Sequence, residues 1–95
     1  LISIDLVQKV VSSYFNMKIS DLKVRRKYKG YVVPRQIAMY LSRKLTNASL
    51  LEIGEKFGGK DHSTVLHSIK KVEEKMVKEP PFREMIENLQ SRIKA

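Results

Sequence analysis

The sequence predicts an all-α domain of about six helices around a helix-turn-helix of the Trp-repressor-like kind. Three observations carry that expectation. Apolar residues recur at three- and four-residue intervals along most of the chain, which is the spacing of one helix face. No stretch alternates apolar and polar residues as a half-buried strand would. Finally, the pair Gly58-Gly59 parts two strongly helical stretches by only a few residues, and two helices meeting at a short glycine turn make this motif.

Taken in order, Ile4, Val7, Val11 and Tyr14 mark a helix over about residues 4–15, with Ser3 as N-cap and the turn former Asn16 near its end. Ser20 ahead of Asp21-Leu22-Lys23-Val24 suits one short helical turn. Residues 24–36, "VRRKYKGYVVPRQ", read as a loop. Gly30 loosens the chain, while Pro34 disfavours helix at Val33 and fits the first position of the next helix. That helix buries Ile37, Ala38, Leu41 and Leu45 and ends near Thr46-Asn47.

Ser49 and Glu52 have the capping-box spacing in front of Leu50, Ile53 and Phe57, so a helix spans about 49–57. Gly58-Gly59 ends it, because glycine enters the left-handed conformation at little cost. Lys60 or Asp61 can cap the next helix, whose residues Val65, Ile69, Val72 and Met76 form an unbroken stripe. Pro80-Pro81 closes this helix, and Phe82, Met85, Ile86, Leu89 and Ile93 mark a last one.

The chain of 95 residues can build one core but not two. It carries 19 basic and 10 acidic residues, a net charge of +9, which points to a polyanionic partner: nucleic acid first, an anionic membrane surface second. The absence of cysteine removes disulfides, thiolate metal sites and thiol nucleophiles, and fits a reducing compartment. No apolar run approaches the roughly 20 residues that span a bilayer, and no signal-peptide pattern opens the chain, so a soluble protein is expected. A start at Leu1 rather than Met suggests a fragment of something longer.

The stretch Gly54–Asp61, "GEKFGGKD", fits all but the last place of G-x-x-x-x-G-K-[ST]. A nucleotide-phosphate loop needs a Ser or Thr after the Lys to hold magnesium, and it lies between a strand and a helix. Asp61 fills that place with a carboxylate, and the preceding pattern is helical, so the segment is expected to be a turn. His62 and His67 are five apart, about 140° around a helix after one full turn, and cannot share a metal as an i, i+4 pair would. Asp61, His62 and Ser63 diverge by about 100° per step and do not converge as a triad. No residue set for catalysis or metal binding is therefore expected.

Opposite the Val65 stripe, the helix collects Ser63, Thr64, His67, Lys70 and Lys71, with Asp61 and His62 on its first turn. In a helix-turn-helix this end meets base edges in the major groove, and short hydrogen-bonding groups suit that task. Arg25, Arg26, Lys27 and Lys29, with Tyr28, can neutralise phosphates or enter a narrow A·T-rich minor groove. Arg35 and Gln36, at the predicted start of a helix, add an anion-favouring end.

"GGKDHSTVLHSIKKVE", residues 58–73, together with "PRQIAMYLSRKLTNASLLEIGEKF", residues 34–57, resembles the C-terminal domain of the DnaA family of bacterial replication initiators, without a gap over most of 20–75. Residues 1–19 resemble the helix joining that domain to an ATPase core, leaving 20–95 as the DNA-binding domain. The resemblance implies sequence-specific binding of double-stranded DNA at origin boxes of the TTATNCACA type, one monomer per box, in the bacterial cytoplasm at the nucleoid.

By position, Asp61, His62, Ser63 and Thr64 match the family's major-groove readers. Arg35, Gln36, Arg43, Thr46, Asn47, Leu50, Lys60 and His67 match residues that face the DNA backbone, and Arg25 and Lys29 join them from the basic segment. The minor-groove place falls on Lys27, with Arg26 beside it; a lysine lacks the planar guanidinium fork. Ser63 stands where Thr is frequent and lacks the methyl that could touch a thymine. ATP and magnesium, and self-assembly, would belong to upstream parts, so no cofactor and no ATPase activity are expected of this chain.

Two rival classes complete the expectations. The first stretch, amphipathic with Lys9 and Lys18 nearby, could lie on acidic phospholipid. A protein-docking adaptor would need an exposed apolar groove, and every apolar stripe has an evident place in the core.

Overall fold

A computed structural model describes residues 1–24 and 29–95, with Lys29 described by its backbone alone. Among the described residues there are five α-helices and no strand: α1 (Ile4–Tyr14), α2 (Lys29–Leu45), α3 (Leu50–Lys56), α4 (His62–Lys78) and α5 (Pro80–Lys94). A 3-10 turn, Ile19–Leu22, stands between α1 and α2.

Local chemistry explains most of the boundaries. The Ser3 hydroxyl accepts the Leu6 N–H at 3.1 Å and starts α1. Asn16, at a φ of 53°, takes the left-handed conformation that ends it. The 3-10 turn begins one residue ahead of the predicted Ser20 cap. Asp21 does the capping instead, its carboxylate accepting the Lys18 N–H at 3.0 Å.

The largest departure lies at α2. The sequence places a loop over 24–36, yet the helix is already formed at Lys29 and contains Pro34. Proline at that point removes one helical hydrogen bond, to the carbonyl of Gly30, an exposed residue in the first turn where water can replace the lost donor. The same chain is then held helical by burial of Pro34, Ile37, Ala38 and Leu41. At the far end the Thr46 hydroxyl donates to the Ser42 carbonyl at 2.6 Å and accepts the Ala48 N–H at 3.1 Å, which turns the chain toward α3.

The capping box at α3 is complete: Ser49 accepts the Glu52 N–H at 3.1 Å, and the Glu52 carboxylate accepts the Ser49 N–H at 3.2 Å. Glu79 alone separates α4 from α5, which opens on Pro80-Pro81, where the missing N–H groups leave no donor unpaired.

α4 packs on α2, α3 and α5, while α1 packs on α2 and α5. The shared core includes Val7, Val11, Ile37, Leu41, Ile53, Phe57, Val65, Ile86 and Leu89, all fully buried. Each such side chain stabilises the fold by about 1.5–3 kcal/mol if of Val, Leu, Ile or Phe size. Polar side chains are buried as well, among them Gln8, which is 1% exposed and donates its amide to the Lys56 carbonyl at 3.0 Å, tying α1 to the last residue of α3.

Candidate nucleic-acid interface

The turn between α3 and α4 is built on three glycines with different tasks. Gly58 and Gly59 have φ of 87° and 81°, where a side chain is strained. Gly54 is helical and buried, and its need for glycine is one of space: a Cβ there would lie 1.9 Å from the Lys60 carbonyl oxygen. The Gly54 carbonyl in turn accepts the N–H groups of Phe57, Gly59 and Lys60 at 3.3, 3.0 and 2.9 Å. This segment is no nucleotide-phosphate loop. It follows a helix rather than a strand, and the Lys60 ammonium donates to the Phe57 carbonyl at 3.1 Å.

Asp61 caps α4 by accepting the Thr64 N–H at 2.9 Å. This backbone hydrogen bond, foremost among the causes, holds the carboxyl pKa below its ordinary value. From there α4 runs for 17 residues, or about 25 Å. Val65, Ser68, Ile69 and Val72 face the core, whereas Asp61, His62, Ser63, Thr64, His67, Lys70 and Lys71 are all exposed, as the helical spacing predicts.

Beside the front of α4 lies a groove of about 640 Å³ shared with α2. Its rim brings Arg35, Gln36, Lys60, Thr64 and His67 together over Val33 and Met39. Five predicted site residues, far apart in sequence, thus converge. Arg35 differs from the rest. It is 8% exposed, its Nη1 donates to the Val24 carbonyl at 2.7 Å, and burial lowers its pKa, although a guanidinium stays cationic at neutral pH.

Other predicted residues cluster at the α2–α3 corner. Arg43 is exposed and donates to the Ala48 carbonyl at 2.9 Å. The Thr46 hydroxyl is engaged at both ends by the backbone, Asn47 is exposed, and Leu50 is half-buried against the core. Arg25, Arg26, Lys27 and Tyr28, and the side chain of Lys29, lie outside the described residues.

Sequence reasoning overlooks Gln8, whose partner is 48 residues away. It treats Gly54 only as part of a nucleotide motif. A signal for Gly54 exists, since glycine inside a helical pattern costs about 1 kcal/mol against alanine and so asks for a packing reason.

A capped helix presented across a tight glycine turn, with cations and short polar groups gathered at its front, defines a helix-turn-helix domain of the DNA-binding class. Residues 4–72 match the family described as bacterial dnaA protein helix-turn-helix. The chain is 48% identical over 92 residues to the chromosomal replication initiator protein DnaA of Geobacter sp. (strain M21), and 47% identical over 92 residues to that of Geotalea uraniireducens (strain Rf4). Each alignment covers 97% of this chain and 20% of the relative, so the chain spans about a fifth of the length of these curated relatives. A crystal structure of a DNA replication initiation factor superposes with a TM-score of 0.82 at 34% identity, over 95% of this chain and 28% of that one. The chain belongs to the family of C-terminal helix-turn-helix domains of the bacterial replication initiator DnaA.

Proposed function

We propose that this domain binds double-stranded DNA in a sequence-specific manner at origin boxes of the TTATNCACA type, as one monomer per box, for initiation of bacterial chromosome replication. The observation that carries the proposal is that His62, Ser63 and Thr64 are exposed at the capped front of α4, where Thr64 shares one groove with Gln36, Lys60 and His67. A B-DNA major groove about 12 Å wide admits such a helix end first.

In this reading Asp61, His62, Ser63 and Thr64 meet base edges. Arg25, Lys29, Arg35, Gln36, Arg43, Thr46, Asn47, Leu50, Lys60 and His67 position the DNA backbone, and Arg26 and Lys27 serve the minor groove. Residues 1–19 would lead to an ATPase core and 20–95 would form the DNA-binding domain, with ATP, magnesium and oligomerisation the business of that core. The setting would be the bacterial cytoplasm, at the nucleoid.

The test uses two substitutions read on box and scrambled duplexes at stated salt. His62→Ala should lose about 1–3 kcal/mol of discrimination at particular base pairs. Lys60→Ala should weaken all duplexes alike and lower the salt slope by about one. Equal losses on box and scrambled DNA for both variants would refute the division of roles.

A membrane role has one observation in its favour. Leu6, Val10 and Tyr14 line a hollow with Lys9 and Arg92, so the outward side of α1 pairs apolar surface with cations. Since Ile4, Val7 and Val11 of the same helix are core residues, Leu6→Asp with Val10→Asp is a cleaner probe than deletion. Undiminished binding of that variant to acidic liposomes would exclude α1 as the anchor.

A further inference from the structure

α3 is seven residues long, too short to hold a direction of its own, so the contacts made on it decide how it points. It packs on α2 and α4, and a further hold reaches it from α1. The Gln8 side chain, 1% exposed, donates its Nε2–H to the carbonyl of Lys56, the last residue of α3, at 3.0 Å. One turn earlier on α1, the Asp5 carboxylate pairs with the Lys56 ammonium at 3.3 Å, but both members of that pair are exposed to water and it fixes little. The buried amide is the directional contact. Fully buried Phe57 comes next in the chain, so Gln8 grips α3 two residues ahead of Gly58, where the bend begins.

We infer that Gln8 is a positioning residue for base recognition: by holding the end of α3 it sets the tilt of α4, and with it the reach of the front of α4 toward base edges. The carbonyls of a helix's last turn have no partner inside the helix, and each needs one from elsewhere. Those of Ile53 and Gly54 take N–H groups of the bend, the Phe57 carbonyl takes the Lys60 ammonium, and the Lys56 carbonyl takes Gln8. Without this donor the Lys56 carbonyl has to turn toward water. The bend turns with it, because the Gly54 carbonyl ties Gly59 and Lys60 to α3. Hydrogen bonds to base edges weaken steeply with changes of angle and length. Contacts of lysine to phosphate ride on flexible stems and tolerate such a shift. Loss of Gln8 therefore costs specificity rather than affinity in general. This inference rests on the proposed reading of α4 in the major groove.

The experiment titrates the 95-residue wild type, Gln8→Met, His62→Ala and Ile86→Val, at one salt concentration and below every thermal transition. The duplexes are the box, boxes altered at the base pairs that His62→Ala no longer distinguishes, and a scrambled sequence. Methionine keeps the length of glutamine and removes the donor. Ile86 is a fully buried residue of α5, so Ile86→Val lowers stability without touching the hold on α3. The readout is the ratio of box to altered-box affinity. Gln8→Met should lower it by about tenfold, the worth of one good base contact, while scrambled binding stays within about twofold of wild type. Ile86→Val should leave both as they are.

An unchanged ratio in Gln8→Met, whatever its melting temperature or overall affinity, makes Gln8 a member of the core and nothing more, and overturns the inference while the reading of α4 stands. An equal fall in the ratio for Ile86→Val also overturns it, since the ratio would then follow stability alone. If His62→Ala distinguishes every altered box as wild type does, the reading of α4 falls, and the inference with it. Should Gln8→Met not fold, Gln8→Asn, which keeps the amide on a stem one carbon shorter, is read by the same ratio, and an unchanged ratio again overturns the inference.

Discussion

Gly54→Ala separates helix propensity from tertiary space, because the two predict opposite signs. In an exposed helix the change would stabilise by about 1 kcal/mol. Here the added methyl carbon would sit 1.9 Å from the Lys60 carbonyl oxygen, where ordinary contact begins at 3.4 Å, so the turn has to open by about 1.5 Å. Opening weakens the Gly59 and Lys60 hydrogen bonds to the Gly54 carbonyl, at about 0.5–1.5 kcal/mol each. Forcing extra volume into a packed site adds about 1–3 kcal/mol. Set against the propensity gain, the net expectation is a loss of about 1–5 kcal/mol, roughly 3 at the middle of that range. For a domain of this size the middle value corresponds to a fall in Tm of roughly 15 °C. Thermal unfolding by circular dichroism measures it, and box binding below the transition should also weaken, since the front of α4 moves relative to α2. A variant as stable as wild type, or more so, would refute the reasoning.

Two further outcomes follow from named contacts. Gln8→Leu keeps the volume of the side chain but leaves the Lys56 carbonyl without its donor, so urea unfolding should show a loss of about 1–3 kcal/mol, and an unchanged midpoint would count against the brace between α1 and α3. The Asp61 carboxyl is held below its ordinary value of 3.8, so its ionised form is favoured in the folded state; its contribution is present above that value and is lost as pH falls through the lower, folded one. Asp61→Asn keeps a capping oxygen without titrating, so its stability should fall less steeply than that of wild type over this acid window. Parallel curves would show that the cap is not the titrating contact.

The elements that sequence reasoning locates well are those whose causes are local. Ser3, the Ser49/Glu52 pair, Gly58-Gly59 and the Val65 stripe act within one or two turns, so their spacing suffices. The early start of α2 escapes because the rule that helix gives way before proline is a local tendency, and burial of Pro34 and Ile37 outweighs it. The exposed face of α4 is legible from periodicity, but its junction with α2 is not. Nothing in the spacing says that Gln36 and His67 share a groove, or that Arg35 turns back to Val24. A cation reads as a surface group until its neighbours in space are known.

The α3–α4 turn also fixes a length. One residue inserted between Gly58 and Asp61 would, if α4 stayed helical, rotate it by about 100° about its axis relative to α3. That rotation would carry Val65, Ile69 and Val72 off the core and swing Ser63, Thr64 and His67 toward it. The hydrogen bonds from Gly59 and Lys60 to one carbonyl leave no slack to absorb the extra residue. Which side chains α4 shows to the outside is thus decided by counting residues across the bend as much as by which residues they are.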